Sequence, residues 1–324
     1  MDFRLDDDQL ALQDGVGQFC RDRYPLDGLA TRTAGVDRAA WTDLADLGVF
    51  SLLPPASGGM GLGVAEAAIV FEQLGAFLVP GPLLWSTLAA MVVEQVMDGQ
   101  LVAGGTAAAD RPVFIEHAAE IDLVVALRPD GVFRIDRDEL GPVTGLDALD
   151  PLNPIGSFAS LPVGAQVGDA GTAERLGRIG TVLCAAMQLG IAQAALDVSV
   201  AYSLEREQFG VPIGSFQALK HMMADMYVRV GLARSATYAA AAVLDDPVVG
   251  HTARSVSSAK LLAGEAAVEN ARASVQVLGG MGFTWDMPPN FLLKRAWVLD
   301  HVFGTPSHHA LAIAASVEAE VVAG

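Results

Sequence analysis

The sequence is poor in cysteine, in aromatic residues and in positive charge, and each shortage excludes a class of protein. Only two of its 324 residues are cysteines, Cys20 and Cys184, so it has neither a disulfide framework nor the cysteine spacing of a zinc site. We expect both to be reduced and packed inside helices. Aromatic residues make up only 6%, which favours helices packed closely through small aliphatic side chains.

Acidic residues outnumber basic residues almost two to one. The chain has 20 lysines and arginines against 38 aspartates and glutamates, which gives a formal net charge of −18 at pH 7. The sequence pI is about 4.5. A chain this acidic is not expected to bind nucleic acid through its overall field, nor to attach to an anionic membrane surface.

The chain also lacks a basic leader and an uninterrupted membrane-spanning run. It begins MDFRLDDDQ, which is acidic where the first part of a secretory signal is basic. Two uncharged stretches, 73–93 and 179–196, are long enough to cross a membrane. The first is interrupted by Pro-Gly-Pro, and the second contains two glutamines and has no flanking positive anchors. We interpret both as core helices of a cytoplasmic protein with no membrane partner.

What the chain does have is apolar residues, 52% of the total, mostly at helical spacing. Only the region from 106 to 171 has short runs rich in valine and isoleucine, with Asp130-Gly131 as a hairpin signal between two of them. The sequence therefore predicts a mostly α protein with a small middle β domain. The predicted domains are an N-terminal helical domain (1–105), a shortened β domain (106–171) and a C-terminal helical domain (172–324).

The C-terminal domain is predicted to be a four-helix bundle. Three long helices are expected over 172–205, 216–244 and 248–277, and a short one over 291–299. A last helix is expected after Pro306.

Two blocks in this domain carry specific motifs. The first, AYSLEREQFGVPIGSF (201–216), has an Arg-x-x-Phe-Gly turn between two helices, followed by Phe-Gln and then Ala-Asp-Met. The second is QVLGGMGFTWDMPPNFLLKRAWVLDHVFGT (276–305). The first block alone would fit a helix–turn–helix in any bundle. Together they resemble the acyl-CoA dehydrogenase family, and the resemblance implies that family's three-part fold and a flavin-dependent α,β-dehydrogenation of an acyl-CoA thioester.

The resemblance also implies that FAD lies across a subunit interface, with its ADP end held by the neighbouring subunit. The arginine suits the pyrophosphate because it presents a fixed fork of donors. The phenylalanine would pack against the adenine or ribose side, the glutamines would bond polar oxygens, and the glycines would let the backbone approach. Taken alone, the arginine also fits a simpler role as a cation at a helix C-terminus. The residues that match this half of the site are Arg206, Gln208, Phe209, Gln276, Gly279 and Gly280.

The catalytic base of the family is missing. In most of the family a glutamate stands directly before a Gly-Thr pair, and here that position is Phe303. A second branch places the glutamate on the first bundle helix, near Gly180 here. Neither residue can accept a proton. Asp300, His301 and Glu174 are the ionisable residues considered as replacements, and no metal site is expected.

The middle region departs from the family as well. The Glu-Pro-x-x-Gly-Ser-Asp type of segment is absent, and no residue of the region can be matched to a contact with the flavin ring. These losses predict the non-catalytic subunit of a hetero-oligomer, which gives ADP-side FAD contacts to a homologous subunit carrying the glutamate. Subunits of actinobacterial heterotetramers that act on the CoA thioesters of steroid side chains resemble it, and the family implies electron transfer flavoprotein as electron acceptor.

Three alternatives remain open from the residues. One is a homo-oligomeric acyl-CoA dehydrogenase with an unusual base. Another is a helical scaffold that has lost redox chemistry. The last is a module that binds acyl-CoA but not FAD.

Overall fold

The computed structural model describes residues 5–32, 34–54, 58–106 and 112–323. Contacts between Cα atoms divide the chain into two compact units. One unit comprises residues 1–32, 68–79 and 181–324, and the other comprises 33–67 and 80–180. The three-domain division proposed from the sequence stays a prediction, and residues 107–111 of its β domain lie outside the described residues.

Among the described residues, four α-helices precede the strands: α1 (Asp7–Arg23), α2 (Arg38–Asp46), α3 (Val64–Ala76) and α4 (Leu83–Ala90). Helix α1 begins as the acidic start of the chain indicates. The Asp6 carboxylate accepts a hydrogen bond from the Gln9 backbone, the Gln9 side chain accepts one from the Asp6 backbone, and the helix dipole favours the acids that follow.

Within the described residues, the strands of the middle region form two small sheets. One has the order β1–β3–β4–β7, from Val102–Gly105, Leu123–Arg128, Gly131–Asp136 and Ala165–Asp169, and only the β1–β3 pair is parallel. The other has the order β2–β6–β5, from Val113–Glu116, Ile155–Phe158 and Thr144–Leu146. The predicted hairpin is β3–β4, but its register places Pro129 and Asp130 in the turn and Gly131 in the strand. Strand β1 begins four residues before the predicted boundary at 106.

The C-terminal helices follow the predicted order. They are α5 (Ala170–Glu205), α6 (Gln217–Asp245), α7 (Thr252–Leu278), α8 (Pro288–Leu299) and α9 (Pro306–Ala323). Helix α7 starts four residues later than predicted, because Pro247–Val249 form a separate 3-10 turn and His251 caps the helix. Helix α8 starts three residues earlier, since proline suits the first position of a helix. The fold is therefore mostly α with a small strand region, as predicted.

Helix α5 is long and apolar enough to span a membrane by length and composition alone. Within the protein, 94% of its most apolar 18-residue window is buried, which is the pattern of a core helix. Both cysteines are buried thiols that form no disulfide, as expected. Burial raises the pKa of the Cys20 thiol to about 12, so it stays protonated and unreactive.

Within the first unit, α3 and α5 cross at two glycines. A Cβ on Gly75 would collide with the Met187 backbone, and one on Gly190 would collide with the Glu72 carbonyl. The close crossing places the buried Glu72 carboxylate within reach of α6. Arg234 Nη2 lies 2.7 Å from Glu72 Oε1, and the Tyr238 hydroxyl donates to Glu72 Oε2 at 2.6 Å. Burial and the Glu72 carboxylate both raise the pKa of Tyr238, which therefore stays a donor.

Because the two helices cross so closely, adding one methyl group between them should strongly destabilise the protein. Gly190→Ala should lower the free energy of unfolding by about 3 kcal/mol, because two backbones must move apart. The matched control is Gly231→Ala at an exposed position of α6, where a Cβ would meet no atom within 4 Å. That change should raise stability by roughly 0.5–1 kcal/mol through helix propensity. Urea unfolding of both variants measures the difference, and equal effects would contradict the close crossing.

Candidate functional site

Five of the six residues predicted to bind the cofactor line one open pocket within the first unit. The pocket has a volume of about 600 Å³ and lies between the segment that joins α5 to α6 and the C-terminal end of α7. It is lined by Tyr202, Arg206, Gln208, Phe209, Ile213, Phe216, Leu219, Val277, Leu278, Gly279, Gly280 and Met281.

One wall is a two-residue hairpin that follows α5 directly. Strands β8 (Glu207–Gln208) and β9 (Val211–Pro212) pair antiparallel, and Phe209 and Gly210 form the turn. The Ile213 amide donates to the Arg206 carbonyl at 2.8 Å, which closes the hairpin. The turn lies where the sequence predicts it.

Phe209 occupies a backbone conformation that bulky residues rarely adopt. Its φ is +55° and that of Gly210 is +78°, the signs of a type I′ turn, in which asparagine and glycine are preferred. The Phe209 side chain is 93% exposed, and its only ring contact among the described residues is edge-on with Phe216 at 6.2 Å between centroids. An exposed aromatic ring in a strained turn gains little stabilisation from contacts within its own chain. We therefore infer that a contact outside the chain accounts for the ring.

The opposite wall is the end of α7. Gly279 ends the helix with a φ of +63°, and Gly280 follows in the 3-10 turn Gly279–Phe283. A Cβ on either glycine would meet no protein atom within 4 Å, although both residues line the pocket. A side chain at either position would project into the pocket. Because both residues are glycines, a ligand in the pocket can approach the backbone.

The polar predicted residues are all exposed. Among the described residues, no side chain bonds the Arg206 guanidinium or the Gln208 amide. Gln276 is also exposed, but it lies in the last turn of α7 outside the pocket lining, so the pocket does not gather it with the other five. The arginine thus presents its donors to a ligand without competition from a carboxylate.

Sequence reasoning missed the apolar floor of the pocket, formed by Tyr202, Phe216, Leu219 and Met281. The Tyr202 hydroxyl contacts Met281 Sδ at 4.0 Å, which joins α5 to the turn after α7. An i+3 spacing of apolar residues at the start of α6 was the available signal, but the same spacing occurs in any buried helix face.

Phe303, which the sequence comparison with the family predicts at the position of the base, lies in a left-handed turn with a φ of +57°, followed by Gly304 at +111°. A buried histidine holds this turn: His309 Nε2 lies 3.0 Å from the Phe303 carbonyl, and its Nδ1 lies 3.3 Å from Ser257 Oγ. A carbonyl only accepts, so the proton is on Nε2 and Nδ1 accepts from the serine. Burial and nearby Lys260 lower the pKa of His309 to about 4, so the neutral form persists at physiological pH.

The three residues that could replace the base lie in three different surroundings. Asp300, at the end of α8, lies beside Gly264 of α7. His301 is exposed, and its Nδ1 lies 3.1 Å from the Trp297 carbonyl. Glu174 is exposed and pairs with Arg178 at 2.6 Å, on the wall of a second cavity of about 490 Å³ within the second unit.

None of the three lines the pocket that Arg206 and Phe209 share. Gly180 is buried on α5. The described residues contain no group of three or more histidine, cysteine or acidic side chains able to hold a metal ion.

Two family models match the chain. The model of the acyl-CoA dehydrogenase N-terminal domain matches residues 6–109, and that of the C-terminal domain matches residues 175–318. Acyl-CoA dehydrogenase IpdE2 of Mycolicibacterium smegmatis is 34% identical over 294 residues, which is 87% of this chain and 89% of the relative. IpdE2 of Mycobacterium tuberculosis is 36% identical over 273 residues, 81% of each.

A solved structure, the ChsE4-ChsE5 complex from Mycobacterium tuberculosis, has the same fold. It superposes with a TM-score of 0.84 at 25% identity, covering 98% of this chain and 99% of that one. The coverage is close to complete on both sides, so the likeness extends over the strand region as well as the helices.

The strain at Phe209 predicts that a less bulky residue stabilises the fold. Phe209→Asn should raise the free energy of unfolding by roughly 0.5–1 kcal/mol, because asparagine tolerates the left-handed region and little buried surface is lost. Phe283→Asn is the control, since Phe283 is 63% exposed but has no positive φ. If both variants shift the urea midpoint alike, the turn is not strained.

The histidine clamp predicts a stability that depends on pH. Between His309's ordinary pKa of 6.5 and its lowered value of about 4, the unfolded chain binds more protons than the folded chain. The free energy of unfolding should therefore fall as pH drops through this window, by up to about 1.4 kcal/mol per pH unit from this residue. His309→Gln keeps a donor for the Phe303 carbonyl but does not titrate. Urea unfolding from pH 7 to 4 should show a shallower fall for the variant, and parallel curves would refute the assignment.

Proposed function

The chain belongs to the acyl-CoA dehydrogenase family, and on that basis we propose that it serves as a subunit of a flavin-dependent enzyme that dehydrogenates an acyl-CoA thioester between its α and β carbons. In this proposal it lacks its own catalytic glutamate and gives the ADP-side contacts of FAD to a homologous partner. The observation that carries the proposal is the open pocket, which gathers Arg206, Phe209 and Gly279. In the proposal, Phe303 takes the position of the base.

FAD is the family's cofactor, and the pocket suits its ADP end. A volume of about 600 Å³ is in the range of small-molecule sites. The glycine wall leaves room for the ligand where a Cβ would otherwise project. The exposed ring of Phe209 gains a packing partner, which explains why a strained turn presents it. When bound, FAD accepts the hydride that leaves the β carbon.

Each residue has a stated role toward the nucleotide. Arg206 neutralises the pyrophosphate through its fork of donors. Phe209 excludes water from the adenine or ribose side, and the backbone at Gly279 and Gly280 approaches the ligand closely. Gln208 and Gln276 hydrogen-bond polar oxygens of the cofactor, Gln276 from the rim next to the pocket.

The proposed partner supplies what this chain lacks, namely the flavin-ring contacts and the glutamate that removes the α proton. The solved structure that superposes on this chain with a TM-score of 0.84 is a complex of ChsE4 with ChsE5, which supports assembly from two different chains. The proposal is a cytoplasmic heterotetramer of three-domain subunits (1–105, 106–171 and 172–324). Its substrate is the CoA thioester of a steroid side chain, and it passes electrons to electron transfer flavoprotein.

The first experiment is flavin stoichiometry and turnover, measured for the chain alone and after co-expression with a homologous subunit that has the glutamate. We expect the chain alone to be colourless and inactive, and the pair to hold one FAD per heterodimer and to reduce it with acyl-CoA. A chain that binds one FAD per protomer and oxidises acyl-CoA by itself would instead support the homo-oligomeric alternative. A pair that binds no flavin would support a scaffold.

The role of Arg206 gives a sharper prediction within the complex. Arg206→Ala should weaken FAD binding about 10–100-fold, because a charge-assisted bidentate contact is lost. Arg272→Ala is the matched control, since Arg272 is an exposed cation on α7 that pairs with Glu269 and does not line the pocket. Fluorescence titration of the reconstituted complex measures both. Equal affinities for the two variants would remove Arg206 from the site.

A further inference from the structure

One buried side chain in the helical bundle bonds to two other helices at once. Asn270 lies in α7 and is 0% exposed. Its Nδ2 donates to the Ala192 carbonyl of α5 at 3.2 Å and to the Met226 carbonyl of α6 at 3.1 Å. Arg229 Nη1 of α6 approaches Asn270 Oδ1 at 3.5 Å. Both N–H groups of the amide are therefore used, and each reaches a different helix.

These partners are compatible with one orientation of the amide. Carbonyl groups only accept hydrogen bonds and a guanidinium only donates them, so Nδ2 faces the two carbonyls and Oδ1 faces Arg229. A flipped amide would bring its oxygen against two carbonyl oxygens in a buried site, which is costly. The side chain of Asn270 therefore specifies where one carbonyl of α5 and one carbonyl of α6 lie relative to α7.

The packing around Asn270 is made mostly of small side chains of similar size. The buried face of α7 near this residue contains Ala263, Gly264, Ala266, Ala267 and Ala271. Contacts between such uniform surfaces change little when one helix slides along another, so packing alone specifies the axial position of α7 weakly. A single buried polar residue in an apolar helix interface can specify this position, at some cost in stability.

All three helices lead to the pocket that Arg206 and Phe209 share. On each helix a pocket residue lies seven to ten positions from the bonded residue: Tyr202 on α5, Leu219 on α6 and Gly279 at the end of α7. At 1.5 Å per residue, the amide is about 10–15 Å from the pocket along each helix. A shift of α7 along its axis would therefore move the glycine wall of the pocket relative to the hairpin wall.

We propose that Asn270 is a positioning residue, which fixes the axial position of α7 against α5 and α6 and so fixes the spacing between the two walls of the pocket. Asn270 is fully buried and does not line the pocket, so it acts through the backbone of these helices and touches no ligand. Its effect on nucleotide binding rests on the proposed function, whereas its effect on the spacing is a property of this chain alone.

Asn270→Leu tests the proposal, because leucine has the same branching at Cγ but makes no hydrogen bond. The two carbonyls keep their bonds within their own helices, and half-buried Arg229 can turn to water, so the urea midpoint should change by less than about 0.5 M. The matched control is Ser274→Ala, one turn further along α7. Ser274 is also 0% exposed, but its Oγ bonds with no described residue. Asn270→Ala, which cannot clash with its neighbours, is the second variant if the leucine variant does not fold.

Pulsed electron paramagnetic resonance measures the position of α7 directly. Spin labels are attached at Glu205→Cys, at the end of α5, and at Glu265→Cys on α7, since both positions are exposed and the native cysteines are buried. We expect one narrow distance for the parent chain and for Ser274→Ala. Asn270→Leu should broaden the distribution or shift it by more than about 1.5 Å, the rise of one residue.

Two results of this measurement would overturn the proposal. One is the parent distance in Asn270→Leu, whatever its urea midpoint. The other is loss of folding in both Asn270 variants, because the amide would then stabilise the bundle without choosing its geometry.

Fluorescence titration of the reconstituted complex with FAD is the second readout. If only about a tenth of the Asn270→Leu molecules keep the correct spacing, the apparent dissociation constant for FAD should rise about 10-fold. An altered distance with an unchanged affinity would overturn the link between Asn270 and the pocket. If the complex with Asn270 intact binds no FAD, the proposed function fails, and the distance measurement on the chain alone still decides whether Asn270 positions α7.

Discussion

The bundle depends on the crossing of α3 and α5, where two glycines let backbone meet backbone. Gly75 and Gly190 leave no room for a methyl group between the helices. This proximity brings the buried Glu72 carboxylate to Arg234 and Tyr238 of α6, so that two hydrogen bonds tie α3 to α6. A buried ion pair is costly unless its hydrogen bonds are complete, and here the carboxylate has a donor for each oxygen. The crossing fixes the position of α5. It therefore also fixes the position of the pocket, which lies at the C-terminal end of this helix near Glu205.

The pocket combines two segments that are about seventy residues apart in the sequence. Its hairpin wall stores backbone strain at Phe209, and its glycine wall leaves space that nothing in the chain fills. Both features are unfavourable or neutral for the isolated chain. Both would become favourable if a ligand covered them, and this is why we propose that a nucleotide and a second subunit complete the site.

The turn at Phe303 is held by hydrogen bonds from other helices. His309 Nε2 donates to the Phe303 carbonyl, Ser257 donates to His309 Nδ1, and Lys260 and Cys184 both contact the Leu299 carbonyl at the end of α8. A buried ammonium at a helix C-terminus complements the partial negative charge of the carbonyls there. The backbone around Phe303 is therefore firmly bonded.

Local pattern was enough to predict the C-terminal helices, their order and the turn after α5. Apolar spacing and residues that end helices act within a few residues, so the ends of these helices were predicted to within about four residues. The motifs around Arg206 and Gly279 likewise lie in continuous sequence. Five of the six candidate residues line the pocket, and Gln276 lies just outside it.

Other features depend on which helices pack together, and they could not be predicted from the sequence. The positive φ of Phe209 and Phe303, the clamp by His309, and the bonds from Asn270 to two helices all arise from contacts between segments far apart in the chain. An asparagine in an apolar helix has the same local pattern whether its neighbour is a carbonyl group or leucine. The amino-acid sequence by itself determined the elements and the motif residues, because those depend on neighbours along the chain. Only the tertiary structure decided what each buried polar group faces, because that depends on neighbours in space.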